Sequence, residues 1–352
     1  MNNNITQTTG KSVKRKSFFS RILKYLLIFL GSMILLILSF GAWIYFSLIF
    51  GPGPMEISDF HPFKSSKAKI EYLAFEEKMA KTWPVNSEEK SVQTSFGKTF
   101  MRISGPVDSP PLILLPGGGS NSYIWHANIK EFSKEYRTYA LDNIYDWGRS
   151  VYTRKIETGQ DFAGWLNELF DTLHIDNNIR IVGYSYGGWV TSQYALYYPE
   201  RLNHVVLIAP AWTILPVSNE WLLRTAKSVL PIRKFKKEIM YWVWSDLSKM
   251  GDKGKTLVED RIDYYSIAMK CFKLKQGVEP TVLTDSDLIK LKPPVLYLVG
   301  ENETIYNGHE AITRLNKVAP KIETELIKAT GHDLMFTHTE MVNKRILEFL
   351  RK

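Results

Sequence analysis

The chain has 352 residues, 45% of them hydrophobic and 23% charged, which is typical of a globular protein with a sizeable core and excludes a disordered chain. Its formal net charge of +9 is no evidence for a nucleic-acid partner, because the first 24 residues carry six cations and no acid, which leaves +3 for the rest. The single cysteine, Cys271, excludes an intramolecular disulfide and a multi-cysteine zinc site.

The first predicted element is a transmembrane helix over residues 25–50. This run contains no charged residue, and a helix needs about 20 apolar residues to cross a bilayer core. A cleaved signal peptide, whose apolar stretch is about 7–15 residues long, and a buried core helix are the alternatives. The cations before the run predict that residues 1–24 form a basic cytoplasmic tail. The chain after the run is then expected outside the cytoplasm, attached to the cell membrane by a single pass.

Residues 51–90 are interpreted as a linker followed by a leader helix. The Gly-Pro-Gly-Pro sequence at residues 51–54 cannot continue a helix and marks the exit from the membrane. Apolar residues at helical spacing predict the leader helix within residues 67–84. Two alternating runs joined by a Gly-Lys pair predict a β-hairpin over residues 91–104, which opens the domain predicted for residues 91–352.

Short apolar runs then alternate with amphipathic helical patterns to the end of the chain. Such an alternation, with strands that are apolar on both faces, predicts an α/β fold with a parallel sheet covered by helices on both sides. The predicted strands are 112–115, 138–141, 179–183, 205–209, 295–300 and 324–327, and the predicted helices between most of them are 122–134, 160–175, 187–199, 307–319 and 339–351.

The alternation is interrupted by an insertion over residues 212–287. It shows helical patterns, no strand signal and several aromatic residues, namely Trp221, Tyr241, Trp242, Trp244, Tyr264 and Tyr265. Because it separates two strands of one sheet, we expect it to cover the sheet edge as a helical cap. Its aromatic residues are interpreted first as packing the cap onto the main domain, with substrate contact as the alternative.

The sequence Gly183-Tyr184-Ser185-Tyr186-Gly187 lies between the predicted strand IRIV and a helical pattern. In this context Gly-x-Ser-x-Gly forms a sharp strand-to-helix turn that pushes the serine hydroxyl out above the sheet. The glycines are required because the strand and the helix pass too close for a Cβ. The chain thereby resembles the α/β-hydrolase fold family. This resemblance implies a mostly parallel eight-stranded sheet flanked by helices, with Ser185 as the nucleophile.

The resemblance extends to a glycine-bearing loop after the strand LILL. The family often carries His-Gly-x-Gly there, and this chain has Pro116-Gly117-Gly118-Gly119, so proline replaces the usual histidine while the backbone donors remain. By position, the resemblance implies an oxyanion hole made of the backbone N–H groups of Gly118 and Tyr186. A flexible turn is the alternative interpretation of the glycine run.

The same resemblance implies a base and an acid that follow the serine in chain order. His332 lies in the sequence Lys-Ala-Thr-Gly-His after the predicted strand TELI, where the family places its base, whereas the other six histidines lack this placement. Glu303 in VLYLVGENETIYN occupies the position of the acid, more often an aspartate, and Glu301 is the alternative. Asp142, after the predicted strand TYAL, matches a family position that structures a loop.

A narrower resemblance, to bacterial carboxylesterase-like serine hydrolases, rests on the segments HPFKSSKAKIEYL, KTWPV, DNIYDWGRS and GENETIYN. It implies hydrolysis of a small-molecule or lipid carboxylic ester through an acyl-enzyme, with no metal and no organic cofactor. A serine nucleophile does not separate an esterase from a lipase, a thioesterase, a peptidase or an acyltransferase. Two other functions stay open, namely acyl transfer to a lipid or cell-wall acceptor and a catalytically silent, membrane-tethered binding module.

Overall fold

The structure of the chain is a computed structural model that describes residues 20–36, 39, 57–275 and 277–352. The chain divides into two compact units, residues 1–55 and 56–352. Three predicted segments lie wholly or partly outside the described residues: residues 1–19 of the basic tail, residues 37–38 and 40–50 of the transmembrane helix, and residues 51–56 of the linker.

In the first unit, residues 20–36 form helix α1. Its large apolar side chains are exposed, with 67–70% of the surface of Tyr25, Phe29 and Leu36 accessible. Among the described residues, no helix is at once long enough and apolar enough to span a bilayer. Half of the transmembrane helix predicted for residues 25–50 falls on residues that are not described, so it stays a prediction.

The second unit is built around one sheet of nine strands. In chain order they are β1 (Glu88–Thr94), β2 (Gly97–Ser104), β3 (Pro111–Leu115), β4 (Arg137–Leu141), β5 (Val151–Tyr152), β6 (Ile179–Tyr184), β7 (Leu202–Ile208), β8 (Val295–Gly300) and β9 (Glu323–Ile327). The order across the sheet is β1-β2-β4-β3-β6-β7-β8-β9, and β5 pairs with β2 beside this path. Along this order, every pairing from β4 through β3, β6, β7 and β8 to β9 is parallel. Strand β2 is antiparallel to β1, β4 and β5. The mostly parallel sheet is confirmed, and the two-residue strand β5 is added to the eight strands predicted.

Helices cover both faces of this sheet. The α-helices of the second unit are α2 (Ser66–Ala80), α3 (Ile129–Phe132), α4 (Gly159–Thr172), α5 (Tyr186–Tyr197), α6 (Asn219–Ser228), α7 (Arg233–Val243), α8 (Ser245–Ser248), α9 (Gly251–Cys271), α10 (Asp285–Lys290), α11 (Gly308–Val318), α12 (Leu334–Thr337) and α13 (Thr339–Leu350), with short 3₁₀ helices at Ser122–Ala127 and Pro199–Arg201. One apolar cluster packs α3 and α13 against the strands, and another packs α5, α10 and α11 against them. Burial on both faces explains why the parallel strands are apolar almost throughout.

The leader helix and the hairpin lie close to their predicted positions. Helix α2 begins at Ser66, where the side chain of Ser65 accepts a hydrogen bond from the N–H of Ala68 at 3.1 Å. The hairpin pairs Val92 with Thr99. Strand β1 starts at Glu88, slightly before the predicted domain boundary at residue 91.

Five helices, α6 to α10, lie between β7 and β8, where the cap was predicted over residues 212–287. The last of them ends at Lys290, so the helical region runs slightly past the predicted boundary. Helix α9 packs against the leader helix through a cluster that includes Tyr72 and Tyr264, whose hydroxyl groups lie 3.2 Å apart. The leader helix therefore packs directly against the insertion.

A buried charge network joins the leader helix to the sheet. Arg102 on β2 donates to Glu76 on α2 at 2.8 Å and also pairs with Glu89 on β1. Arg149 pairs with Glu89 at 2.7 Å and lies 3.6 Å from Glu76. Burial, followed by repulsion from Asp142, raises the pKa of Glu76 to about 7.

This shift predicts a pH dependence of the stability of the second unit. Folding raises the pKa of Glu76 above its ordinary value of 4.5, so the folded state favours the protonated carboxyl. Its stabilising contribution is complete below the ordinary value and is lost as the pH rises through about 7. We expect Glu76→Gln, which stays neutral, to show a smaller fall in Tm than the wild type between weakly acidic and weakly alkaline pH.

The matched control for this experiment is Glu89→Gln. Burial opposes the charged form of Glu89, but hydrogen bonds from Arg149 and Arg102 outweigh it and lower the pKa of this carboxyl. The contribution of Glu89 to the stability of the folded state is therefore present above the ordinary pKa of this carboxyl and is lost only on acidification. The control should keep the wild-type fall in Tm toward alkaline pH. An unchanged fall in Glu76→Gln contradicts the assignment of this dependence to Glu76.

Candidate active site

The predicted strand-to-helix turn is present between β6 and α5, with Ser185 at its apex. Ser185 has φ 52° and ψ −118°, a left-handed conformation that residues with a Cβ rarely adopt. A Cβ on Gly183 would collide with the carbonyl oxygen of Gly187, and a Cβ on Gly187 with that of Leu115. The N–H of Ser185 donates to the carbonyl oxygen of Ile208 at 2.9 Å, which ties the turn to β7. The glycines of the motif are thus required by close approach.

The structure brings the predicted histidine to the predicted serine. Nε2 of His332 lies 2.9 Å from Oγ of Ser185, although the two residues are 147 positions apart. The hydroxyl of Tyr184 donates to the carbonyl oxygen of His332 at 2.9 Å, and the two rings lie 5.1 Å apart. Burial raises the pKa of Tyr184, so its phenol stays a donor. Tyr184, next to the serine, therefore helps to hold the histidine loop.

The acid position is occupied by Glu303. Its Oε2 lies 2.9 Å from Nδ1 of His332, and its Oε1 accepts a hydrogen bond from the N–H of Ile305 at 2.9 Å. The side chain of Glu303 is fully buried. Glu301 is exposed and accepts from the N–H of Ala329 at 3.1 Å. Of the two candidates, the carboxylate bonded to His332 is that of Glu303.

The glycine loop, residues 116–119, lies directly against the serine turn. A Cβ on Gly117 would come within 3.2 Å of the Cβ of Ser185, and a Cβ on Gly118 within 3.4 Å of that of Tyr186. Within the described residues, the N–H of Gly118 donates to no protein acceptor. Tyr186 is the first residue of α5, so its N–H has no partner inside the helix. Among the residues that the structure describes, neither predicted oxyanion donor has a protein acceptor.

Asp142 supports loops and does not contact His332. Its carboxylate accepts from the N–H of Ser122 at 2.8 Å and from the N–H of Arg149 at 2.7 Å. Burial raises the pKa of Asp142, and these backbone donors oppose that rise. Its contacts are those of the loop-structuring residue that the family resemblance implied.

The six aromatic residues singled out in the insertion each contact another protein group. Trp244 lies 4.7 Å from Phe336, Tyr265 lies 5.1 Å from Trp147 and Trp221 lies 4.5 Å from Trp212, measured between ring centroids. Tyr264 meets Tyr72, Tyr241 donates to Glu259, and Trp242 lies under Arg224. The contacts of Trp244, Tyr265 and Tyr264 join the insertion to the rest of the unit, as the packing interpretation expects, whereas the other three lie within the insertion.

Three supporting residues were missed by sequence reasoning. Asp333 accepts from the N–H of Leu247 on cap helix α8 at 2.7 Å, which joins the loop of His332 to the cap. Asp146 and Arg261 each bond the backbone of Gly119. Two signals were available: Asp333 comes directly after His332, and Asp146 lies in DNIYDWGRS, one of the segments that carry the narrower resemblance. Arg261 belongs to no motif.

The chain was compared with known proteins and solved structures. A family model described as alpha/beta hydrolase fold matches residues 110–339. The carboxylesterase nap of Bacillus subtilis (strain 168) is 32% identical over 79% of this chain and 91% of its own. The carboxylesterase YbfK of the same organism is 33% identical over 79% of this chain and 93% of its own. The crystal structure of the Bacillus subtilis naproxen esterase (carboxylesterase NP) covers 84% of this chain and 99% of its own, with 30% identity and a TM-score of 0.73.

Proposed function

This chain belongs to the α/β-hydrolase fold family, and from that premise we propose that it is a carboxylesterase acting through the serine, histidine and glutamate described above. It is a serine hydrolase of ester bonds. The observation that carries the proposed triad is the continuous set of hydrogen bonds from Ser185 through His332 to Glu303, with 2.9 Å at each step. Its relatives named as carboxylesterases support a carboxylic ester as the substrate class. We propose a small-molecule or lipid ester within that class.

In the proposed mechanism, His332 is the general base and later the general acid. It takes the proton of Ser185 as Oγ attacks the ester carbonyl, and it gives that proton to the departing alcohol. Glu303 holds the imidazole with its proton on Nδ1 and stabilises the imidazolium that forms. A water molecule then attacks the acyl-enzyme by the same route and releases the acid.

The oxyanion is proposed to form between the glycine loop and helix α5. The free N–H groups of Gly118 and Tyr186 supply the donors, and the second lies at a helix N-terminus, where the peptide dipoles favour negative charge. Losing one such donor typically costs about 10²- to 10³-fold in kcat. The proline at position 116 leaves this backbone chemistry intact.

The proposed activity is tested by supplying esters of graded acyl length to the full chain in membranes or mild detergent. We expect the free acid and the alcohol in equal amounts, with the acid still the main product when a second alcohol is added. Quantitative transfer to the added alcohol would favour the acyltransferase alternative. Absence of turnover and of labelling by a fluorophosphonate would favour the silent binding module.

We also propose that the chain is anchored by residues 25–50, with its N-terminus in the cytoplasm and the catalytic unit outside. The support is the uncharged run itself and the six cations before it. The exposed apolar side chains of α1 are those that a bilayer would cover. No cofactor enters the proposal.

This topology gives a measurable expectation. Protease added to intact cells should digest the catalytic unit, and alkaline carbonate washing should leave the full-length chain in the membrane fraction. A cytoplasmic protein followed in parallel must stay intact, which shows that the cells are closed. Digestion only after lysis would reverse the orientation, and release of a chain that begins after residue 40 would replace the anchor by a cleaved signal.

A further inference from the structure

We propose that Arg261, on cap helix α9, is a positioning residue that holds the glycine loop in the geometry needed to stabilise the oxyanion. The inference rests on the proposed esterase function, and it assigns to a residue of the cap a role in positioning the oxyanion donors. It concerns a residue that contacts the backbone of the loop and not the reacting atoms.

Gly119 is held from two separate elements. Nη2 of Arg261 donates to its carbonyl oxygen at 2.8 Å, across 142 residues of sequence. The N–H of Gly119 donates to Oδ2 of Asp146, in the loop after β4, at 2.9 Å. Gly119 has φ 62°, in the left-handed region, so its backbone conformation depends on such restraints. The two hydrogen bonds restrain both peptide groups of the residue that follows the proposed donor Gly118.

The contact is not explained by an ion pair of Arg261. Within the described part of the chain, its guanidinium has no carboxylate partner within 4.0 Å, and its one hydrogen bond goes to Gly119. The rings of Tyr264 and Trp244 lie 4.9 Å and 5.8 Å from its Cζ atom. Burial lowers the pKa of Arg261, yet a guanidinium stays protonated near neutral pH. A partly buried cation costs free energy, so its presence against a backbone carbonyl points to a role in holding that loop.

The loop needs such a restraint because of its composition. Three consecutive glycines lose more conformational entropy on ordering than other residues, and in the described part of the chain no acceptor fixes the N–H of Gly118. An oxyanion donor acts only when it is held near its final position before the reaction begins. With Gly119 fixed on both sides, the neighbouring donor is ordered in advance.

The proposal is tested with Arg261→Met, which keeps length and apolar contacts but removes the hydrogen bond. We expect kcat to fall roughly 10- to 100-fold, as for a small misplacement of a reacting group, with KM nearly unchanged. Affinity for an alkyl boronic acid, which forms a tetrahedral adduct on the serine, should fall by the same factor as kcat/KM. The matched control is Arg233→Met. Arg233, on α7, donates to Asp263 and Glu259 on α9, the helix of Arg261, and does not contact the glycine loop. This control should keep wild-type kcat.

A second variant separates positioning from general damage to the fold. Arg261→Ala leaves space for a free guanidinium ion, and millimolar guanidinium should restore part of kcat in this variant but not in Arg261→Met, whose side chain fills that space. Wild-type kcat in Arg261→Met, or a loss that guanidinium does not relieve in Arg261→Ala, overturns the proposal. If the wild type itself hydrolyses no ester, the proposed function fails instead, so the two failures are distinguishable.

Discussion

Replacing Ser185 by alanine is expected to lower kcat for ester hydrolysis by about 10⁴-fold or more, because no acyl-enzyme can form without the hydroxyl. In the structure, Oγ of Ser185 contacts Nε2 of His332 and contributes little to packing, so Tm should change little. The measurement is steady-state hydrolysis of a chromogenic ester, with Tm measured on the same samples.

The matched control is Ser192→Ala, on the same helix α5. Its hydroxyl donates to the carbonyl oxygen of Trp189 at 2.7 Å and has no part in the proposed reaction. It should keep kcat within a few-fold of the wild type while losing some stability. If Ser185→Ala kept a tenth of wild-type turnover, another residue would have to be the nucleophile.

Glu303→Gln is expected to lower kcat by about 10³- to 10⁴-fold, as amide replacements of a triad acid do elsewhere. The glutamine keeps the shape of the side chain but carries no charge to stabilise the imidazolium. Its amide group can also donate to Nδ1, which favours the wrong tautomer of His332. Initial rates at saturating substrate measure the effect on kcat directly.

Glu301→Gln is the matched control, two residues earlier in the same loop. Glu301 is exposed, and its one hydrogen bond within the described residues comes from the N–H of Ala329, so its loss should be mild. A large loss in Glu301→Gln together with a small one in Glu303→Gln would transfer the role of the acid to Glu301.

The positions of the proposed triad were implied by the resemblance to the family, and the sheet gives the physical reason, because each residue follows a strand of the same sheet. Ser185 follows β6, Glu303 follows β8 and His332 comes shortly after β9, and these strands run parallel through β7. The carboxyl ends of parallel strands meet at one edge, so short loops there converge on a common site. The Gly-x-Ser-x-Gly spacing then identified which loop carries the nucleophile.

The contacts that support the site could not be predicted in this way. Arg261 lies in the insertion, whose helices are outside the regular alternation of strands and helices, so their position over the sheet is not predicted by the sequence. Its hydrogen-bond partner is a backbone oxygen, which no residue type identifies. The pairing of Glu76 with Arg102 depends on where the leader helix docks, which local patterns do not determine. Strand β5 has two residues, too short for a recognisable alternation.

The most direct test of the central claim uses an ester that deacylates slowly. The chain is allowed to react with this ester, the reaction is stopped with acid, and the acylated peptide is identified by mass spectrometry. The proposed mechanism predicts one acyl group per chain, on Ser185, and none in Ser185→Ala. Turnover of that ester with the acyl group on a different residue, or with no acyl group on the chain at all, would contradict it.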